Sequence, residues 1–283
     1  MSSSSIDLNH LTEEECRDIE TEANKRLGEY KKSNQIIREE VFNILEKNST
    51  VLFYPINDNE ISGFIVKHGV KHFVMINTEI PSEKQIFAAA HELYHLWYTK
   101  ESWEVLKSLI LDGQLNGGVS KEEHKANRFA AEFLVPKQVI LTELDIRGLK
   151  RNAIELKDII ELMDIFLMPY KTIVRRLHEV EYISEEQCKQ FLLIPDRNDN
   201  DGVLLWQKRL GLCQRNNEKT RKKKFGNLID TSLALYENKQ ITYEKLKYLL
   251  ELAGQTPAEY NIIEPVITLP SEEEILKFME EED

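Results

Sequence analysis

Apolar residues recur every three or four positions through the first fifty residues of this chain. "LTEEECRDIETEANKRLGEY" predicts a first helix, with Thr12 as its cap and Glu15 at the reciprocal capping position. "NQIIREEVFNILEKN" predicts a second. The pattern then breaks into short runs rich in Val, Ile and Phe: "TVLFYPI", "GFIVKH" and "KHFVMIN", separated by the polar "NDNEISG" and "HGVK". Such runs predict a small antiparallel sheet. Helical spacing returns in "SEKQIFAAAHELYHLWY", with Ser82 as the candidate cap, and in "KEEHKANRFAAEFLVP", which ends near Pro136. Between those two, "SLILDGQLNGGVSK" carries a Gly-Gly pair and reads as a loop.

Further helices are expected in "PKQVILTELDIRG" and "AIELKDIIELMDIFLMPYKTIVRRLHEVEYIS". "IPDRNDNDG" is polar and turn-rich, the best linker candidate. Past it, "GNLIDTSLALYENKQITYEKLKYLLELAG" predicts two helices, and "SEEEILKFMEEED" an acidic tail. The expected class is α+β in three parts: a sheet-plus-helix core over 1–145, a helical segment over 146–195, and a linker with a helical C-terminal segment over 196–283. The last part gives only a small core alone, so it is expected to dock on the core or on a partner and to regulate.

Composition narrows the function. Of the 283 residues 41% are hydrophobic and 30% charged, enough for a sizeable core under a solvated surface. The net charge of −12 argues against a chain that binds nucleic acid over its whole surface. One local exception is the basic run Arg221 to Lys224 in "EKTRKKKFG", either a phosphate contact or a solvated linker. No apolar run approaches the roughly 18 residues of a membrane span. The start "MSSSSIDLNHLTEEEC" has neither the charged nor the apolar region of a secretory signal. Cys16, Cys188 and Cys213 form no metal or disulfide spacing. These features predict a cytoplasmic protein without a membrane partner.

The chemistry is concentrated in "IFAAAHELYHLW". His91 and His95 stand at i and i+4, one above the other on a helix face. Two imidazoles so placed can hold one zinc ion, and Glu92 beside them can serve a water as general base. A catalytic zinc takes a third protein ligand. "SKEEHKANRFAAEFLVP" offers Glu122, Glu123, His124 and Glu132. Glu123 shares a face with Ala126, Asn127, Ala130 and Leu134, a small apolar surface fit for packing on another helix. It is the preferred ligand, with Asn127 one turn on to orient a ligating histidine. Glu122 and His124 remain rivals, and Glu132 falls off that face. Ser120 followed by Glu123 also makes a capping box, in which Glu123 would only satisfy backbone donors.

"INTEIPSEKQIFAAAHELYHLWY" followed by "EEHKANRFAAEFLVP" resembles the ImmA/IrrE family of zinc metallopeptidases. Ile76-Asn77 is similar to that family's strand end, Phe87 to His95 to its metal helix, and Glu123 to Pro136 to its ligand helix. Tyr94 stands where the family usually has Gly, and Val135 where it has Met. "YKTIVRRLHEVEYIS" is similar to the family's helix-turn-helix-like segment after the core. The resemblance implies a zincin-like core with zinc as cofactor. It also implies endopeptidase activity on a partner protein, such as a helix-turn-helix transcriptional repressor, in a mobile-element, stress or defence response.

Several roles stay open. Tyr98, His124, Tyr170 and His178 are oxyanion-donor candidates by residue type alone, and His68 and His72 flank a turn that can edge a cleft. "KHFVMIN" can act as a sheet edge that takes an extended substrate. Rival readings are a non-proteolytic module that holds a repressor, a DNA-binding regulator using "YKTIVRRLHEV" and "KTRKKK", and a toxin–antitoxin component.

Overall fold

The computed structural model describes residues 11–69, 71–99, 120–196 and 201–265. The glycine-rich stretch expected as a loop near residues 108–119 and the acidic tail lie outside the described residues. The chain divides into two compact units, residues 1–224 and 225–283.

In the first unit, α1 (Glu13–Glu29) starts at Thr12, whose side chain accepts from Glu15 N while the Glu15 carboxylate accepts from Thr12 N, the expected capping box. After α2 (Glu40–Asn48) come β1 (Thr50–Tyr54), β2 (Gly63–His68) and β3 (Lys71–Asn77). β2 and β3 form an antiparallel hairpin, with Gly63 opposite Ile76 and His68 opposite Lys71. β1, however, pairs with β3 in parallel, Thr50 opposite Phe73 and Tyr54 opposite Asn77. The sheet is therefore mixed, in the order β2-β3-β1-β4, where β4 is the two-residue strand Lys224–Phe225. The expectation of an antiparallel sheet holds for the hairpin and fails for the β1–β3 pair. So does the idea of "KHFVMIN" as an open edge fail: β3 has a neighbour on each side, and β2 ends the sheet.

Asn77 ties the end of β3. It is fully buried, yet its amide donates to Asp58 O and Ile61 O while its Oδ1 accepts from Ile56 N and Glu79 N. A buried amide with every partner made fixes the β1–β2 loop and the turn into the next helix. That helix, α3 (Ser82–Tyr98), has Pro81 as its N-cap rather than Ser82. Ser82 stands one position inside, and its N–H donates to Glu218 O at 2.8 Å.

α3 packs on α4 (Lys121–Leu134) through small residues. Ala88, Ala89 and Ala90 on one helix and Ala126 and Ala130 on the other are wholly buried. Short side chains let two helix backbones approach closely enough for longer side chains beyond them to meet. A cluster of Tyr94, Trp97, Tyr98, Phe129 and Phe133 continues this packing, with the rings of Phe129 and Phe133 stacked 5.5 Å apart.

α5 (Lys137–Ile146), α6 (Leu156–Phe166), α7 (Tyr170–Glu179) and α8 (Glu185–Leu192) share the core of the preceding elements. Arg176 on α7 is wholly buried, donating to Val135 O and pairing with Glu132 of α4. No boundary falls at residue 145. Nor does one fall at residue 196, because α9 (Gly202–Leu210), α10 (Cys213–Asn217) and the chain after it as far as Lys224 belong to the first unit. The reason is a dense set of bonds from residues 215–224 to the turn before α3. Asn216 donates to Glu83 Oε2 and Met163 O, Arg221 N to Thr78 O, Thr78 Oγ1 to Lys222 O, and Thr220 Oγ1 to Gln85 Oε1.

The second unit holds α11 (Leu228–Glu237), α12 (Tyr243–Leu252) and a 3-10 turn at Pro257–Tyr260, closed around Leu246 and Leu250. These are the two helices expected there. No helix among the described residues is long and apolar enough to cross a membrane.

Candidate metal centre

The i, i+4 spacing on α3 sets His91 and His95 side by side, with their Nε2 atoms 3.1 Å apart. Glu123, in the first turn of α4, reaches both: its Oε2 lies 3.0 Å from His91 Nε2 and its Oε1 3.3 Å from His95 Nε2. These three residues offer ligand atoms within 4.8 Å of one another, and no other such trio of His, Cys, Asp or Glu occurs among the described residues. Both histidines are buried.

Whether a metal ion suits this trio can be judged from the donors. Ligands at about 2.0–2.1 Å on a tetrahedral zinc stand roughly 3.3 Å from each other. The 3.1 Å between the two Nε2 atoms fits that edge, and each histidine has its own Glu123 oxygen at 3.0 or 3.3 Å. The protonation pattern agrees. His91 Nδ1 lies 2.9 Å from Asn127 Oδ1, which only accepts, so Nδ1 carries a proton, and Nε2 is the atom that would offer a lone pair to a metal. His95 Nδ1 lies 2.9 Å from the Thr99 hydroxyl. Two imidazoles and a carboxylate facing one another in this way could hold a cation between them.

The electrostatics point the same way. Burial opposes a charge on His91, but its bonds to Glu123 and the nearby Glu92 carboxylate outweigh that and raise its pKa. Burial also opposes ionisation of Glu123, yet hydrogen bonds from the two histidines, protonated at Nε2, hold its carboxyl down at about 2; a metal ion would take the place of those protons. The site draws in positive charge.

The alternatives for the third position are placed elsewhere. Ser120 Oγ does accept from Glu123 N at 3.3 Å, but the Glu123 carboxylate faces the histidines rather than the backbone. Glu122 accepts from Tyr94 Oη at 2.8 Å and pairs with Lys125. Glu132 is held by Arg128 and Arg176. His124 is half-buried and stands outside the trio.

Glu92 is buried on the same helix. Its Oε1 lies against β2 at Gly63, where an added methyl would stand 3.4 Å from that oxygen and 3.0 Å from Met75 O. Glycine at 63 thus leaves room for the carboxylate beside the strand. Of the oxyanion candidates, Tyr98 Oη is engaged by Arg26 and Glu22 of α1, and Tyr170 Oη donates to Phe191 O. His178 lies on α7, in no metal-ligand group. His72 sits half-buried at the start of β3.

Two features escaped the sequence reading. Thr99 continues the His91, His95 series by another four residues, a spacing visible in "HELYHLWYT". The Tyr94–Glu122 bond joins α3 to α4 at the very turn that carries Glu123, and no spacing within either helix announces it.

Comparison of the chain with curated proteins and with solved structures finds no match. Residues 46–178 do match a family model, that of the IrrE N-terminal-like domain of peptidase family M78. The matched span runs from the end of α2 through β1, β2, β3, α3 and α4 to α7, and so contains every residue of the trio. Over residues 46–178 the chain thus resembles the IrrE-like domain of that peptidase family.

Proposed function

We propose that the protein is a zinc-dependent endopeptidase in which His91, His95 and Glu123 hold the metal and Glu92 is the general base. The observation that carries this reading is the convergence of two imidazoles and a carboxylate, with ligand atoms within 4.8 Å of one another, in a span that matches a peptidase-family domain. When bound, zinc supplies Lewis acidity that makes a water nucleophilic near neutral pH and polarises a substrate carbonyl. Glu92 takes the proton of the attacking water on its carboxylate and returns it to the departing amine. Asn127 keeps the proton of His91 on Nδ1, and the aromatic cluster behind α3 keeps bulk water from that side of the site.

An extended peptide fits beside β2, the terminal strand on that side of the sheet, whose Gly63 end abuts Glu92. For the substrate we propose a partner protein such as a helix-turn-helix repressor, on the strength of the family resemblance. The basic run speaks less for DNA. Arg221 and Lys219 bind Glu79, Lys224 binds Glu46, and Lys222 and Lys223 stand over the rings of Phe53 and Tyr54. Its charges serve to seat the segment on its own unit.

The test pairs the zinc-loaded protein with a small helix-turn-helix repressor encoded beside its gene, and identifies products by mass spectrometry. Cleavage at one site is expected. Glu92→Gln is expected to retain zinc and lose at least about 10²-fold in rate, the lower end for general acid–base catalysis. Near-normal turnover by that variant contradicts the role of Glu92.

A further inference from the structure

We propose that Thr99 positions His95 for metal binding, doing for that ring what Asn127 does for His91. The proposal rests on the metal reading above. His91, His95 and Thr99 stand at i, i+4 and i+8 along α3 and share a face. Thr99 is also the C-cap, where the chain leaves the helix in an extended conformation (φ −83°, ψ 112°). It holds His95 twice: its backbone N–H donates to His95 O at 3.2 Å, and its Oγ1 lies 2.9 Å from His95 Nδ1. The backbone bond fixes where the hydroxyl starts, and the β-branched side chain has few χ1 choices from there.

An imidazole presents a lone pair at Nε2 only when Nδ1 carries the proton. The Thr99 oxygen accepts that proton's hydrogen bond and stops the ring from turning about its Cβ–Cγ bond. A turned ring would carry Nε2 away from Glu123 Oε1 and His91 Nε2, which stand 3.3 and 3.1 Å from it. The hydroxyl therefore bears on affinity for the metal. It bears little on the fold, because Thr99 is only half-buried at a helix end.

The experiment measures zinc affinity by chelator competition on the full chain, for wild type, Thr99→Val, Thr99→Ser and His95→Ala. Visible spectra of the cobalt(II) forms report the coordination, and thermal unfolding of the metal-free proteins reports the fold. Thr99→Val keeps the shape and removes the hydroxyl. It is expected to bind zinc about 10–100-fold more weakly, as loss of a partner behind a ligand does. Its cobalt spectrum is expected to change while its metal-free melting does not. Thr99→Ser, which restores the oxygen, is expected to keep the wild-type affinity. Wild-type affinity and spectrum in Thr99→Val overturn the proposal, as does a Thr99→Ser variant that is as weak as Thr99→Val. If the wild type binds zinc no better than His95→Ala, the metal reading itself falls, and this proposal with it.

Discussion

Glu122 and Glu123 are adjacent, equally acidic and both in the first turn of α4, yet they have different tasks. The helix rotates them about 100° apart, so one meets Tyr94 Oη and Lys125 while the other meets both histidines. Glu123→Gln keeps the size and the capping competence of the side chain and removes the charge. It is expected to weaken zinc binding by more than the roughly 10–100-fold typical of a residue behind a ligand. Glu122→Gln is expected to leave the affinity near wild type. Chelator competition on the two variants checks this, and equal losses would contradict the assignment of Glu123. His91, Glu92 and His95 were legible in the sequence because a single helix period fixes their relation. Glu123 was legible only as a face of a second helix, since nothing local states how α4 meets α3. The contact of Thr99 with His95 was hidden because it depends on α3 ending there, a boundary the sequence marks weakly.

At the scale of elements, α4 is held at both ends. Lys121 pairs with Glu15 of α1 and Glu122 with Tyr94 of α3 at its start; at its end Glu132 pairs with the buried Arg176 of α7. Burial pushes the Glu132 carboxyl up against the pull of Arg176 and Arg128, so this carboxylate depends on its partners to stay ionised. Arg176→Met fills similar volume but strands Glu132 with Arg128 alone. Breaking a buried pair from one side costs about 3–5 kcal/mol, and the remaining guanidinium places this case toward the lower end. Urea unfolding is expected to show that loss, and a midpoint equal to wild type would mean the pair does not brace the helix. The sheet shows the limit of strand patterns. "TVLFYPI", "GFIVKH" and "KHFVMIN" were recognisable as strands, but side-chain alternation does not encode which neighbour each one takes. The eight residues between β1 and β2 are long enough to carry the chain past the place of β3, so β1 pairs with the third strand instead of the second.

For the whole molecule, the peptidase-like domain does not stand alone. The segment 215–224, beyond the family match, supplies partners to Ser82 N, Glu83, Gln85 and Thr78 around the first turn of the metal helix. The division expected near residue 196 rests on the polar "IPDRNDNDG", and the lysine-rich run after it reads as a solvated linker or a phosphate contact. The bonds are mostly to backbone and between distant residues, and composition carries no trace of them. A chain ending at Gly226 is expected to fold with wild-type zinc affinity. A chain ending at Asp196 is expected to melt at lower temperature, because Glu83 stays buried without Asn216 and the start of α3 loses its acceptor. Equal melting of the two chains would show that the segment is dispensable. A single zinc ion held between α3 and α4 is what we propose, and elemental analysis tests for it most directly. After zinc supplementation and removal of free metal, the wild type is expected to carry about one zinc per chain. The His91→Ala/His95→Ala double variant is expected to carry essentially none. Stoichiometric zinc in the double variant, or none in the wild type, would contradict the account.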